Sequence, residues 1–577
     1  SERDKLLVEA MWSWRRGDGA RAEDLYRTVL GTWPDDVEAW YQLAEVLNHF
    51  GPMRGGSISD SRAAFQRVLR FEPEHLLSLW HVARIDAVEG QLDSLDARIE
   101  TIRGLSPEGD RTLELMAMRA ASHDPEGWPA ILDSLRHAQD ITRYFATWNV
   151  AVFARDVDRA REIVPTLLQA DRSREVQATG HLLEAVYALA QGRPAEAEEA
   201  MRRLEVLDPD LATSHSAAFA LLPFMDTDAS TLRRNLNAVL RWAPRAGCLS
   251  PHPVRNFEPG TCIRPVVRSY LAGMLEARLG RADDAMERIE ELRVFADAGQ
   301  DQGHAPEYAT GIEAEMAFQR GDTAAALEVL EASPGHVWYI HALQSFLYSH
   351  SLARFRRAQA LAAMGRSDEA IRWYSSFAEM SQYDLVLLGP ALVSAGRVAK
   401  SLGRNEEAGS YYRSAMRYLE GGEGVFEGME REAREGDGQA ASAPTDAEDP
   451  PSSSGLAEAA WQLVEFQSMS DEVGIVRPDD PSLYTLSFSS DGSVSLRLDC
   501  TRGTARWSVT PASPTSGGLE FGPIAGTSAS CPPPSMGERV ARDLDFVRSY
   551  IIEGDRLYLS LMADGGIYVW ERTAGGA

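Results

Sequence analysis

Gly280-Arg281-Ala282-Asp283-Asp284-Ala285 is the stretch that decides the fold. Glycine reaches φ > 0 without steric cost, so Gly280 can end one helix in the left-handed conformation. Ala285 presents only a methyl group, so the next helix can approach the one before it to the roughly 8–10 Å of packed helices. The product is a helical hairpin. The same spacing recurs at Gly17/Ala22, Gly192/Ala197, Gly321/Ala326, Gly365/Ala370 and Gly403/Ala408. Residues 1–420 are therefore expected to form an array of such hairpins.

Proline supplies a second punctuation. Pro34, Pro73 and Pro107 follow the second helix of successive units and stop it, because proline cannot continue a helix. Pro73 and Pro107 are 34 residues apart, whereas Pro34 and Pro73 are 39 apart. The surplus falls in Gly51-Pro52-Met53-Arg54-Gly55-Gly56, read as a loop insertion. Trp40-x-x-Leu43-Ala44-x-x-Leu47 is echoed more weakly by Leu79, Val82 and Ala83, and Gly192, Ala197 and Pro209 keep the same offsets. On these residues the chain resembles tetratricopeptide (TPR) repeats, whose period is about 34 residues and whose first helix carries W-x-x-L-G-x-x-Y. The match is strong over 1–107 and 180–210, Pro-poor over 265–420, and degenerate over 108–178, where Ala160 is kept but Arg155 stands in place of glycine.

The resemblance implies a mainly α architecture, an α-α superhelical solenoid. One hairpin cannot bury its apolar face alone, but stacked neighbours bury a continuous core and leave a concave groove lined by the first helices. Extended peptides or helices bind such grooves, so the expected partner is a protein or peptide. More narrowly, Ala39-Trp40-Tyr41-Gln42-Leu43-Ala44-Glu45-Val46 and Phe71-Glu72-Pro73-Glu74-His75 resemble the repeat regions that follow kinase domains in some bacterial serine/threonine kinases. That likeness implies an alternative, the C-terminal sensory or regulatory region of a bacterial signalling protein of the membrane kinase type.

Two places interrupt the array. Residues 244–265 carry five prolines and no helical period, together with Cys248 and Cys262. A disulfide between these two would close the loop in an oxidising compartment, contributing up to about 3 kcal/mol in the chain-entropy model; two buried thiols are the other reading. The second interruption is aromatic: Trp338 and Tyr339, flanked by His336 and His341, lead to Phe346, Tyr348, His350 and Phe355. Trp338, Tyr339, Phe346 and Tyr348 could line a recognition groove, since Trp and Tyr are enriched at binding hot spots. Helical packing is the plainer reading of the same spacing. Without H-E-x-x-H spacing, no metal site is expected from these histidines.

Composition changes at Gly421. Residues 421–456 are rich in Gly, Glu, Ala, Ser and Pro and read as a flexible acidic linker. From 457 the apolar period becomes two. Tyr484–Phe488 and Ser493–Leu498 alternate around a turn at Ser489–Gly492, a hairpin signal, and 518–521, 557–561 and 567–570 read as further strands. Only Glu538–Tyr550 looks helical. Trp461-Gln-Leu, Asp499-Cys500-Thr501-Arg502-Gly503, Leu519 through Thr527, Cys531 and Gly554-Asp-Arg-Leu557 together resemble the META domain, the HslJ-like family, over nearly all of 457–575. Thr501 departs from the asparagine usual there. The resemblance implies a small mostly-β domain over 457–577, a cell-envelope or exported setting with cytoplasmic as the alternative, and cysteine positions at Cys500 and Cys531 that could bond in an exported protein.

Composition limits the rest. The 577 residues are 44% hydrophobic and 25% charged, with a net charge of −28. That size calls for more than one domain or a repeat array. The acidity argues against nucleic acid and against anionic lipid. Lysine occurs only at Lys5 and Lys400, which excludes a phosphate-binding G-x-x-x-x-G-K-[ST] loop. No G-x-S-x-G elbow, C-x-x-C pair or kinase motif set is present, so neither catalysis nor a cofactor is expected. No apolar run is long enough to span a bilayer, so direct membrane insertion is not expected of this chain. It begins at Ser1 without a basic-then-apolar leader, so no signal peptide is expected and it reads as a processed or excised piece. The expectation is a non-catalytic scaffold whose groove holds a partner.

Overall fold

The computed structural model describes residues 1–106, 110–244, 263–298, 303–333, 335–336, 339–442, 456, 460–468, 474–489, 492–513, 516–522, 524–527, 535–561 and 566–573. It divides into two compact units, Ser1–Ala443 and Pro444–Ala577.

The first unit is a succession of paired helices. The opening pairs are α1 (Glu2–Arg15) with α2 (Gly19–Thr32), α3 (Val37–Phe50) with α4 (Arg62–Phe71), and α5 (Leu76–Val88) with α6 (Leu92–Leu105). Next come α7 (Asp110–His123) with α8 (Trp128–His137), α9 (Asp140–Trp148) with α10 (Val157–Ile163), and α11 (Arg174–Ala190) with α12 (Pro194–Leu207). Then α13 (Pro209–Ala220) precedes α14 (Ala229–Arg241), α15 (Arg264–Arg278) precedes α16 (Ala282–Asp297), and α17 (His304–Gln319) precedes α18 (Thr323–Ala332). A single turn, α19 (Tyr339–Ala342), leads to α20 (Ser351–Ala363), α21 (Ser367–Ser375), α22 (Leu385–Ser401), α23 (Asn405–Leu419) and α24 (Val425–Ser442).

The local reading of the hairpin holds at every predicted position. Gly17, Gly192, Gly280, Gly321, Gly365 and Gly403 all have φ between 68° and 83°. Their alanine partners, Ala22, Ala197, Ala285, Ala326, Ala370 and Ala408, are buried. In the degenerate stretch Arg155 itself adopts φ 56°, so the turn is kept without glycine. Here α9 also runs into a π-helical turn over Asn149–Phe153, which absorbs the irregularity. Aspartates open many helices. Asp18, Asp36, Asp156, Asp208 and Asp322 each accept a hydrogen bond from the backbone N–H three residues on, a cap worth about 1 kcal/mol.

Of the region 421–456 read as a flexible linker, the first part is helical instead, and 443–455 lie outside the described residues. Val425–Ser442 is α24, packed on the array. Phe426 is fully buried beside Phe224, Arg397 pairs with Glu432 at 2.8 Å, and Arg413 pairs with Asp437 at 2.6 Å. Gly436 lets α24 lie against the Tyr412 ring, where a Cβ would come within 2.4 Å. Composition counted the acids and glycines but not the one apolar edge that finds a partner.

The second unit is an antiparallel sheet. Its strands are β1 (Ala460–Gln467), β2 (Ile475–Val476), β3 (Tyr484–Phe488), β4 (Ser493–Leu498), β5 (Thr501–Ser513), β6 (Ser516–Phe521), β7 (Ala525–Thr527), β8 (Val547–Glu553), β9 (Arg556–Leu561) and β10 (Ile567–Arg572). The order β10-β9-β8-β6-β5-β4-β3-β1 returns on itself because β10 also pairs with β1, Trp461 opposite Arg572. The predicted hairpin has Tyr484 opposite Leu498 and Phe488 opposite Val494. Trp461, Trp570, Tyr550 and Tyr568 fill the interior. The helix expected over 538–550 is shorter, α25 (Gly537–Asp543) followed by a 3₁₀ turn, and Val547 already starts β8. After an irregularity between Val547 and Ser549, Tyr550 and Ile552 alternate toward the core, and this overrides the helical look of the stretch.

Candidate functional site

A TPR groove is built from first helices, so the inner faces of α9, α11 and α13 are where a partner would be sought. They are already covered by the chain's own residues 343–350 and 380–384. Trp148 of α9 donates its indole N–H to the Met380 carbonyl at 2.9 Å, and Thr147 donates to Gln382 Oε1 at 3.0 Å. Tyr187 of α11 donates to the same Gln382 oxygen at 2.5 Å. On α13, His215 Nε2 lies 3.1 Å from Ser345 Oγ, and the Phe219 and Phe346 rings stack at 5.6 Å. Nearer the start of the array, the Ile58 N–H donates to the Glu379 carboxylate at 2.8 Å.

This inserted stretch is fastened by a buried ion pair. Asp384, fully buried, accepts from Ser349 at 2.7 Å, Ser351 at 2.5 Å and Arg354 at 2.7 Å. Arg354 also donates to Ser376 Oγ at 3.0 Å and to the Pro52 carbonyl at 3.3 Å. A buried charge pair is tolerable when most of its remaining donors and acceptors are used in this way, and here the Arg354 Nε–H is left without a hydrogen-bond partner.

The four aromatics predicted to bind a partner are therefore placed as follows. Phe346 is fully buried and Tyr348 nearly so, both in the core of the first unit, so neither faces a partner in this structure. Tyr339 begins the α19 turn. Trp338 lies outside the described residues. The physical reason for burying Phe346 and Tyr348 is that the inner faces of the first helices are apolar and the inserted stretch is their cover.

Beside these aromatics stands a chain of histidines that sequence reasoning assembled only in part. His304 Nδ1 lies 3.1 Å from His350 Nε2, and His304 Nε2 lies 3.1 Å from His341 Nδ1. Each neutral imidazole has one donor and one acceptor nitrogen, so the three can hydrogen-bond in sequence. Burial lowers all three. His341 falls to about 4 and His350 to about 3, and His304, flanked by the other two, falls well below the ordinary value. Neighbouring His341 and His350 are visible in the sequence. His304 is 46 residues before His350, and no spacing announces it.

A different surface is open. A cleft of about 420 Å³ lies among α12, α13 and α14. Ala197, Met201, Ala212, Phe219 and Met225 form its apolar floor, and Glu198, Arg202, Glu205 and Arg234 its charged edge. It arises where Pro194 and Pro209 start successive helices and small residues face each other across the groove. No signal in the sequence set this cleft apart from any other inter-helix groove, because it depends on the spacing of α14 against α12.

In the second unit Cys500 carries no free thiol. Cys531, Cys248 and Cys262 lie outside the described residues. No helix of the described residues is long and apolar enough to cross a membrane.

Comparison with known proteins fits this division. The tetratricopeptide repeat family model matches residues 10–73 and 148–212, and a second tetratricopeptide repeat model matches 308–332 and 351–375. The META domain model matches 454–573. The narrower likeness to kinase-attached arrays is not among these findings. No curated protein matches the sequence. Among solved structures, that of yeast Tom70 is 12% identical, with 78% of this chain and 97% of that chain covered and a TM-score of 0.28. The P58(IPK) TPR domain is 14% identical, covering 78% and 100%, with a TM-score of 0.18. A protein from Burkholderia xenovorans is 19% identical, covering 22% and 93%, with a TM-score of 0.19. The chain thus carries tetratricopeptide repeats in a helical solenoid, followed by a C-terminal META domain.

Proposed function

We propose that the helical unit is a non-catalytic scaffold for a protein or peptide partner, and that the partner docks in the cleft among α12, α13 and α14. The observation that carries this is the pairing of repeat architecture with an apolar floor open to solvent, where the customary inner groove is filled by residues 343–350 and 380–384. Met201 and Phe219 offer apolar anchors, and the mixed charges at the edge suit a segment that carries charges of both signs. Nucleic acid does not enter this reading, since the net charge is −28. The META domain serves as an envelope-associated module of a bacterial protein, and in that setting Cys500 bonds Cys531.

A photo-crosslinking side chain at Ser216, in the cleft, tests the reading against one at Val206, which is 74% exposed on another face of α12. Crosslinks from 216, lost on Met201→Glu and not seen from 206, are expected. Equal capture from both positions, or capture unaffected by Met201→Glu, overturns it.

A further inference from the structure

The inner faces of α3 and α5 bring together three side chains that the scaffold role does not use. Glu45 and His49 stand one turn apart on α3, and His81 comes from the facing turn of α5. Their ligand atoms all lie within 4.8 Å of one another. Glu45 Oε1 is 2.9 Å from His81 Nε2, and Glu45 Oε2 is 3.5 Å from His49 Nε2. All three side chains are close to fully buried, at 7%, 11% and 9% exposure for Glu45, His49 and His81.

Glu45 Oε1 meets His81 Nε2 at ion-pair distance but without the alignment of an N–H···O hydrogen bond. Glu45 Oε1 is a buried oxygen with no hydrogen-bond partner in the structure. Leaving such an oxygen unpaired is costly. A cation between the three groups would satisfy it, since a tetrahedral ion with ligands at about 2.0–2.2 Å spaces its donors only slightly further apart than this oxygen and nitrogen already are.

We propose that Glu45, His49 and His81 form a binding site for one divalent transition-metal ion of the zinc or cobalt class, clipping the second repeat to the third. Two imidazole nitrogens with one carboxylate select such ions over magnesium or calcium, which prefer oxygen alone. The Phe65 ring stacks on His81 at 4.9 Å and 6°, fixing the imidazole plane. Arg84 of α5 is a nearby cation that would oppose a metal ion. It is turned aside, donating to Asn149 Oδ1 at 2.8 Å and lying over the Trp148 ring at 4.7 Å, and Glu114 offsets it.

The test is a Co²⁺ titration of the full, tag-free, chelator-stripped chain, read by the visible absorption of low-coordinate Co²⁺ and by competition with Zn²⁺. One equivalent is expected to bind. Glu45→Gln, His49→Asn and His81→Asn should each weaken it at least tenfold, and His304→Gln should not, with circular dichroism unchanged throughout. If Glu45→Gln does not fold, His49→Asn at the edge of the cluster decides, together with a Zn²⁺-dependent rise in thermal midpoint present in the wild type and lost in that variant. Absence of Co²⁺ absorption in the wild type, or equal binding in all the cluster variants, overturns the proposal.

Discussion

Trp148 donates its indole N–H to the carbonyl of Met380, 2.9 Å away in space and 232 positions later in sequence. In an open solenoid each repeat touches only its neighbours, and stability is a sum of local terms. This bond, with Tyr187–Gln382 and Ile58–Glu379, ties early repeats to late ones.

Residues 1–443 should therefore unfold as one cooperative unit in urea. Trp148→Phe keeps the ring and removes the donor, leaving the Met380 carbonyl unpaired, at a cost of about 1–3 kcal/mol. The expected outcome is a lower midpoint with one transition still seen by both fluorescence and circular dichroism. Loss of the late repeats alone, with the early ones intact, would contradict the tie.

The hairpin glycines should fall into two classes. Gly280→Ala meets no atom within 4 Å, so it costs only the left-handed backbone, about 1–2 kcal/mol. Gly192→Ala carries the same backbone cost and also drives a Cβ to 2.9 Å from Phe426, so it should cost more and loosen α24. Arg155→Gly should stabilise, by roughly 0.5–1 kcal/mol, because it relieves φ 56° at a non-glycine. Chemical denaturation of the three variants checks the order.

Glu276 gives a pH dependence with a defined sign. Burial raises its carboxyl to about 7 against the opposing charge of Arg288, 3.4 Å away. The folded state then binds a proton that the unfolded state, near 4.5, has released, so this group's contribution is present below pH 4.5 and fades as pH rises through about 7. Glu276→Gln should raise the thermal midpoint at pH 8 and leave it nearly unchanged at pH 4.

The histidine chain acts in the opposite direction. His341 and His350 are held neutral, lowered to about 4 and about 3, whereas the unfolded imidazole titrates near 6.5. Their contribution is full above pH 6.5 and declines as pH falls toward 4, because the unfolded chain takes up protons first. A melt series from pH 7 to pH 4 should show this decline, and it should be shallower in His350→Asn. Asn also tolerates the left-handed φ of 53° that His350 adopts.

What could be read from the sequence was whatever a few consecutive residues impose. Gly280 and Ala285 fix a turn and a close approach within six residues, and Arg366–Glu331 and Arg404–Asp368 then repeat the same contacts at separations of 35 and 36. Tyr484–Phe488 likewise announced its strand by alternation. The metal-binding trio was legible only as Glu45 and His49 one turn apart; His81 joins them because α3 and α5 are stacked first helices.

The sequence by itself determined the helical hairpins, their order and the change to a β domain, because turns, caps and periodicity are settled by neighbouring residues. Only the tertiary structure decided that Phe346 would be buried against α13 and Tyr348 beside His304, that Val425–Ser442 would pack as a helix, and that a cleft would open at Met201. Those outcomes depend on contacts between segments up to some hundreds of residues apart, and no local pattern encodes which apolar face a distant segment will cover.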